Sequence, residues 1–415
     1  MIQRKRLPVL VLAYLVLASC SARAGTVTPA LPSGGPTSPA SASPATPVPS
    51  STAAASPTAT ETSFPPALPV VPSPTLTWIN FPDTKNGWGI AVNGNGYVLR
   101  TVNGGSTWLN ATPPGTGSIG LSASLTVLNT NHLWVLVPTT DFFSGTLYRT
   151  GDGGMTWNSN PVPFGRAYLQ FLDPNTGRAL ADRGAATGSE AVELYQTSDG
   201  GSSWISVFHD DPGQPGASDS LPVAGIKNGM TFSNTQTGWV TGSIPSDGEV
   251  YLYITRDGGI SWSQQNLSLP PGYAIYQYLP QAPDFFGEDG ILPVTIYQSG
   301  STGMTFYTSQ DGGLTWTGNP ANAKRVIQPC LPAIADTFHI WCWDGGQTLY
   351  YTVNGAQIWD DMKSTPDLSG RLSQMEFVIG PLGFSTGWAL TQVDENGHSQ
   401  LYRTTNGFNW KPLIP

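Results

Sequence analysis

The stretch Thr101-Val102-Asn103-Gly104-Gly105-Ser106-Thr107-Trp108 decides how this chain folds. It returns at 150–157, 197–204, 255–262, 309–316 and 352–359, and one residue shorter at 404–410. Each copy has a hydroxyl residue, any residue, Asp or Asn, Gly, usually a second Gly, and a closing Trp: Trp108, Trp157, Trp204, Trp262, Trp316, Trp359 and Trp410. The Asp or Asn positions are Asn103, Asp152, Asp199, Asp257, Asp311, Asn354 and Asn406, so the steps are 49, 47, 58, 54, 43 and 52 residues. That is the length of a four-stranded propeller blade, longer than most helical or leucine-rich repeats.

Each copy closes a larger unit of four short strands, A to D. In the first unit these are Leu76 to Phe81, Gly87 to Ala91, Tyr97 to Arg100 and the segment from Trp108. Strand B is headed in later units by Leu133-Trp134, Gly177-Arg178, Gly238-Trp239, Gly290-Ile291, Ile340-Trp341 and Gly387-Trp388, and strand C by pairs such as Leu147-Tyr148 and Leu401-Tyr402. Alternating apolar residues punctuated by Gly, Pro and Asp turns are a strand signature. The expected fold is all-β: one seven-bladed β-propeller of four-stranded antiparallel blades over 75–415, A strands inside and D strands outside. Blade seven takes its D strand from Trp410 onward and the ring closes blade against blade, with 64–71 free to add an outer strand.

The repeated phrase fits a C-to-D hairpin. An Asp or Asn oxygen accepts N–H groups of its own turn, the hydroxyl adds a second local bond, and the glycines adopt positive φ without steric cost. The three Asn copies keep the acceptor and lose the charge, so the turn needs an oxygen more than an anion. The pattern S/T-x-D-x-G-x-x-W resembles the Asp-box, or bacterial neuraminidase repeat, of propellers such as sialidases, xyloglucanases, sortilin-type receptors and photosystem II assembly factors. The resemblance covers about 75–415. It implies the blade and says little about activity.

Ahead of the propeller, Arg4, Lys5 and Arg6 precede the apolar run Leu7 to Ala18, the layout of an export signal over residues 1–19. It ends in Leu17-Ala18-Ser19-Cys20, which resembles the lipobox of bacterial lipoproteins and implies acylation of Cys20, a membrane anchor on the outer side of a bacterial membrane. Residues 20–74 are dominated by Ser, Thr, Pro, Ala and Gly, too polar to bury a core, and are expected to form a disordered tether. The formal net charge is −9; losing the leader's three cations makes it −12. Such a chain lacks the basic footprint of a nucleic-acid binder. Of the three cysteines, Cys330 on strand A and Cys342 on strand B of blade six are centred on the turn between them, which in an exported protein favours a disulfide.

The C-to-D turns and the B-to-C and D-to-A connections lie on opposite faces of a propeller. Function is therefore expected on the second face, where the chain carries Phe142, Phe143, Arg166, Tyr168, Asp210, Asp211, Tyr273, Tyr276, Tyr278, Arg325 and Arg371. Aromatics with a few convergent polar groups suit a protein loop or a glycan, or plug the channel mouth. No Phe/Tyr-Arg-Ile-Pro motif or arginine triad supports a sialidase, whose ring has six blades. A xyloglucanase-like reading needs two converging carboxylates, drawn from Asp210, Asp211, Asp219, Glu249, Glu288, Asp289, Glu376 and Asp394, and in that family two propellers form the cleft. The four histidines show no ligand spacing, there is no Gly-x-Ser-x-Gly elbow, and no metal or cofactor is expected. The expectation is an exported, lipid-anchored, non-enzymatic binding or assembly module for a protein or glycan partner, nearest to the photosystem II assembly-factor type. The alternative is a glycoside hydrolase using loop carboxylates.

Overall fold

The computed structural model describes residues 67–92, 96–210, 220–269, 276–298, 301–318, 330–345, 348–363, 368, 372–380, 383 and 385–413. The leader, Cys20 and residues 21–66 lie outside the described residues. The chain forms seven antiparallel blades at 76–110, 124–162, 167–209, 226–264, 277–318, 331–363 and 372–412. Strands run A-B-C-D across each sheet, and the A strands of blades 2 and 3, 3 and 4, 6 and 7, and 7 and 1 touch. In blade 5, strand A is Gln277–Pro280, with Asp284–Phe286 also pairing to strand B. Blade 7 takes strand D from Lys411–Pro412. Val70–Val71, inside the stretch read as tether, adds an outer strand to blade 1 by pairing with Trp108 and Leu109.

The repeated turn is built as its residue types require. In blade 2, Thr150 Oγ1 donates to Asp152 Oδ1 (2.9 Å) and accepts the Gly154 N–H (2.8 Å), while Asp152 Oδ1 also accepts the Thr156 N–H (2.9 Å). The four aspartate copies make one bond more: Thr156, Ser203, Ser261 and Thr315 hydroxyls donate to the second carboxylate oxygen at 2.5–2.6 Å. Asn103, Asn354 and Asn406 keep the first oxygen's bonds. At Gly153 (φ +78°) a Cβ would collide with the Arg100 guanidinium, which donates to the Gly153 carbonyl at 2.7 Å, so glycine is required by both conformation and space. Blade 6 instead places Ala356 at φ +66°.

One joint recurs between blades. The Trp heading strand B stacks on the Phe at the end of strand A in the next blade: Trp134 on Phe171 at 3.6 Å and Trp341 on Phe377 at 3.8 Å. In blade 3, Arg178 stands at the Trp position and its guanidinium lies 5.2 Å from the Phe232 ring centre. Ring closure uses the same joint, Trp388 of blade 7 on Phe81 of blade 1 at 3.8 Å, with Trp388 Nε1 donating to the Gly104 carbonyl at 2.9 Å. Truncating a buried aromatic of this kind to Ala costs about 3–5 kcal/mol.

Strand A has no strand partner on its inner edge, so its backbone groups need others. Side chains of the preceding blade supply them. Gln170 accepts the Phe232 N–H (2.6 Å) and donates to its carbonyl (3.0 Å); Gln374 treats Ile79 likewise, and Glu376 accepts the Phe81 N–H at 2.7 Å.

Cys330 and Cys342 are joined as a disulfide, with Cα atoms 5.2 Å apart. Cys330 precedes strand A (Leu331–Ile334) rather than lying on it, and Cys342 faces Pro332 in the register.

Candidate functional site

Two faces follow from the connections. The first glycine N–H of the repeated turn donates to the A-to-B turn of its own blade, as Gly153 to Asn131, Gly200 to Asn175, Gly258 to Gln236 and Gly312 to Glu288. That face is closed by backbone bonds within each blade. Glu288 and Asp289 lie there, at the A-to-B turn of blade 5.

On the opposite face the structure brings together part of the expected set. The B-to-C turn of blade 2 presents Phe142, at φ +62°, and the exposed Phe143. The exposed Arg166, entering blade 3, lays its guanidinium over the Phe142 ring at 3.9 Å. Beneath them Arg183 pairs with Glu193 (2.8 Å), bonds the Tyr195 hydroxyl and donates to the Pro163 carbonyl (2.8 Å), holding the blade 2 exit against blade 3. Phe142, Phe143 and Arg166 therefore form one exposed aromatic and cationic ledge.

Other members of the set are not on the surface. Tyr278 is fully buried in the core between blades 4 and 5, because its position on strand A alternates inward. Asp210 is also buried, drawn in by Lys227. Tyr168 is half-buried and its hydroxyl donates to the Lys227 carbonyl at 3.3 Å; burial pushes that phenol up to about 12. Tyr276 is partly buried, and its carbonyl accepts the Gly248 N–H at 2.8 Å. Asp211, Tyr273, Arg325 and Arg371 lie outside the described residues.

Asp210 belongs to a buried knot at the seam of blades 3 and 4. Lys227 Nζ donates to the carbonyls of Glu190 (2.5 Å) and Pro222 (2.7 Å) and stands 3.8 Å from Asp210 Oδ2. The Lys227 N–H donates to Glu190 Oε2 at 2.6 Å, and the Val192 N–H to Asp210 Oδ2 at 3.2 Å. Asp210 Oδ1 has no hydrogen-bond partner among the described residues. Burial pushes Asp210 up to about 6, against the pull of Lys227, and raises Glu190 in the same sense; it lowers Lys227. With both side chains of the ion pair sealed from solvent, the knot locks the seam and cannot exchange protons with a ligand on the surface. A lone lysine within Ile226–Phe232, an otherwise mostly apolar strand A, was the sequence signal for it.

Asp219 lies outside the described residues, and the remaining described acids are dispersed. Glu376 is held in the closing joint. Asp394 caps its own turn by accepting the His398 and Asn396 N–H groups at 2.9 Å. Burial pushes Asp284 up to about 7, but it sits beside the A-to-B turn of blade 5, away from the ledge. Glu249 is exposed on the B-to-C side of blade 4. Among the described residues, no group of three or more His, Cys, Asp or Glu is placed to hold a metal.

No protein-family model matches the chain. It is 26% identical over 360 residues to a xyloglucanase from a Paenibacillus species, across 76% of this chain and 30% of that protein. A shorter match, 31% over 120 residues, covers 28% of the chain and 7% of a vacuolar protein sorting/targeting protein 10 from Penicillium rubens. The chain thus spans less than a third of each of these relatives. Among solved structures, it resembles a GH74 xyloglucanase from Xanthomonas campestris (TM-score 0.52, 15% identity, 84% of this chain and 55% of that one). It also resembles YCF48 solved with a D1 peptide bound (TM-score 0.50, 16% identity, 82% and 98%). These likenesses establish the propeller fold, with xyloglucanase and YCF48 neighbours.

Proposed function

We propose that this propeller is a polysaccharide-directed protein of the glycoside-hydrolase type, taking a β-linked glucan on the face that carries Phe142, Phe143 and Arg166. The observation that carries the reading is the 26% identity over 360 residues to a xyloglucanase. The ledge adds aromatic faces beside a polar guanidinium, a combination that suits sugar rings and their hydroxyls.

A second reading is docking without hydrolysis. It is favoured by the fate of Glu190 and Asp210: these carboxylates meet at one lysine but are buried, where no glycosidic bond can lie between them. The YCF48 neighbour, solved with a peptide bound, shares the ring and extends this reading to a protein loop. The sequence of residues 1–20 supports export and lipid anchoring through Cys20, which would hold the face outward from a membrane.

Electrophoresis through gels containing xyloglucan, paired with an assay of reducing ends released from the same polymer, tests both readings. Retarded migration with release is the expected result. Retardation without release assigns docking, and neither effect refutes the glycan reading.

A further inference from the structure

A cleft of about 350 Å³ opens on the flank of blade 4, between the B-to-C turn, strand C (Tyr251–Thr255) and the chain that follows strand D (Ser263–Gln264). Strand D is short here, as it is in blades 1, 5 and 7. In blade 2 strand D pairs with strand C from Gly145 to Arg149, and in blade 3 pairing reaches Glu193 opposite His209. In blade 4 strand D pairs only with Tyr253 and Ile254. One more bond, Gln265 N–H to the Leu252 carbonyl at 2.8 Å, holds the chain, and Leu267 then turns into the core. Strand D does not pair with Val250 or Tyr251, whose side chains are buried in the neighbouring core clusters. The Gly248 N–H bond to the Tyr276 carbonyl fixes the rim.

The lining has one chemistry. The half-buried Tyr253 forms the wall, backed by the Tyr251 ring with centres 4.8 Å apart and tilted by 52°. Tyr251 itself is buried, its hydroxyl donating to the Pro222 carbonyl at 3.0 Å and its ring facing Lys227 Nζ at 5.5 Å, so it supports Tyr253 rather than meeting a ligand. The exposed side chains of Glu249, Gln264 and Asn266 ring the opening, Gln264 Nε2 donating to the Val250 carbonyl at 3.4 Å. No Lys, Arg or His is among the described residues that line it. Without a cation the cleft has nothing to compensate an anion. Amides, a phenol and one carboxylate supply donors and acceptors beside an aromatic wall, which matches the hydroxyl edge and C–H face of an uncharged sugar. The volume is at the low end of ligand sites, about 300–1,000 Å³, and admits a short segment of chain.

We infer that this cleft is an accessory subsite for a short segment of neutral glycan, held on the flank of blade 4, the blade next to those that carry the ledge. The inference rests on the polysaccharide-directed reading and adds a second point of attachment to it. Two anchors on one rigid ring raise the retention of a polymer well above that of a fragment able to reach only one.

The full chain is compared with the triple variant Glu249→Gln, Gln264→Ala, Asn266→Ala and with Tyr253→Phe, using xyloglucan polymer in affinity gels and thermal melting as the fold control. The triple variant alters exposed side chains and gives up one long bond, from Gln264 to the Val250 carbonyl, so its melting should stay within a few degrees of the parent. Its affinity should fall about tenfold or more, as expected for losing two or three hydrogen bonds, and Tyr253→Phe should fall in between. Parental retardation unchanged in the triple variant overturns the subsite and leaves the polysaccharide reading intact. No retardation of the parent protein overturns both.

Discussion

Asp199 and Asp210 are eleven residues apart and respond to acid in opposite ways. The Ser203 hydroxyl, then its N–H, hold the exposed Asp199 down to about 2, from an ordinary 3.8. Its stabilisation is present above 3.8 and is lost as pH falls toward about 2. Burial pushes Asp210 up to about 6, so between 3.8 and about 6 the folded chain keeps a proton that the unfolded chain releases. Its contribution to stability therefore falls as pH rises through that window. Glu190 is raised in the same sense, and Lys227, Asp182 and His209 share the surroundings. Thermal melting from pH 2 to 7 should show Asp210→Asn with a shallower decline across 3.8 to 6 than the parent. Asp199→Asn should cost about 1 kcal/mol, the hydroxyl bond alone, and flatten the acid limb. An Asp199→Asn loss above about 3 kcal/mol would contradict the view that the turn needs an oxygen more than a charge. Of these two residues the sequence disclosed only Asp199, because a repeated position exposes its role through the Asn copies. Asp210 occurs once, and an aspartate at the start of a long connection looks solvent-facing until Lys227 is placed beneath it.

At the scale of strands, the same contrast separates the outer hairpin from the inner edge. The C-to-D turn is built by local bonds: the partners of its hydroxyl residue and its Asp or Asn oxygen lie within four residues, so those hydrogen bonds can be read from spacing. The inner edge is joined across blades, Gln170 to Phe232 over 62 residues and Gln374 to Ile79 over 295. A glutamine in an alternating strand looks like an outward polar position, and nothing in its own blade says otherwise. Gln170→Ala would leave a buried N–H and carbonyl of Phe232 without partners, at roughly 1–3 kcal/mol each. Urea denaturation should therefore show a loss of about 2–5 kcal/mol; a loss under 1 kcal/mol would mean that water replaces the side chain without penalty. Tyr278 illustrates the same limit from the other side, since an aromatic-rich connection and the start of a strand cannot be separated by composition, and only its inward alternation puts it in the core.

For the whole molecule, blade number, strand order and the manner of closure were legible because they repeat. The face that binds was legible only as a direction, since its loops do not repeat and each is shaped by its own contacts. The flank cleft of blade 4 has no signature in the sequence, since a short strand D recurs in blades 1, 5 and 7. Closure itself reaches further. Each blade is one uninterrupted stretch of chain, and the last joint is made of the same Trp and Phe stack as those at Trp134 and Trp341. Val71 and Leu413 pack against one cluster with Trp108 and Leu401, so the two ends of the ring are neighbours. A circular permutant that links 413 to 70 through a short flexible segment and opens between blades 2 and 3, at 163–166, should fold and melt within a few degrees of the parent. Circular dichroism and thermal melting check this, and failure to fold would mean that one seam must form before the rest. Topologically the ring has no obligatory first blade, and its order of assembly is open to rearrangement.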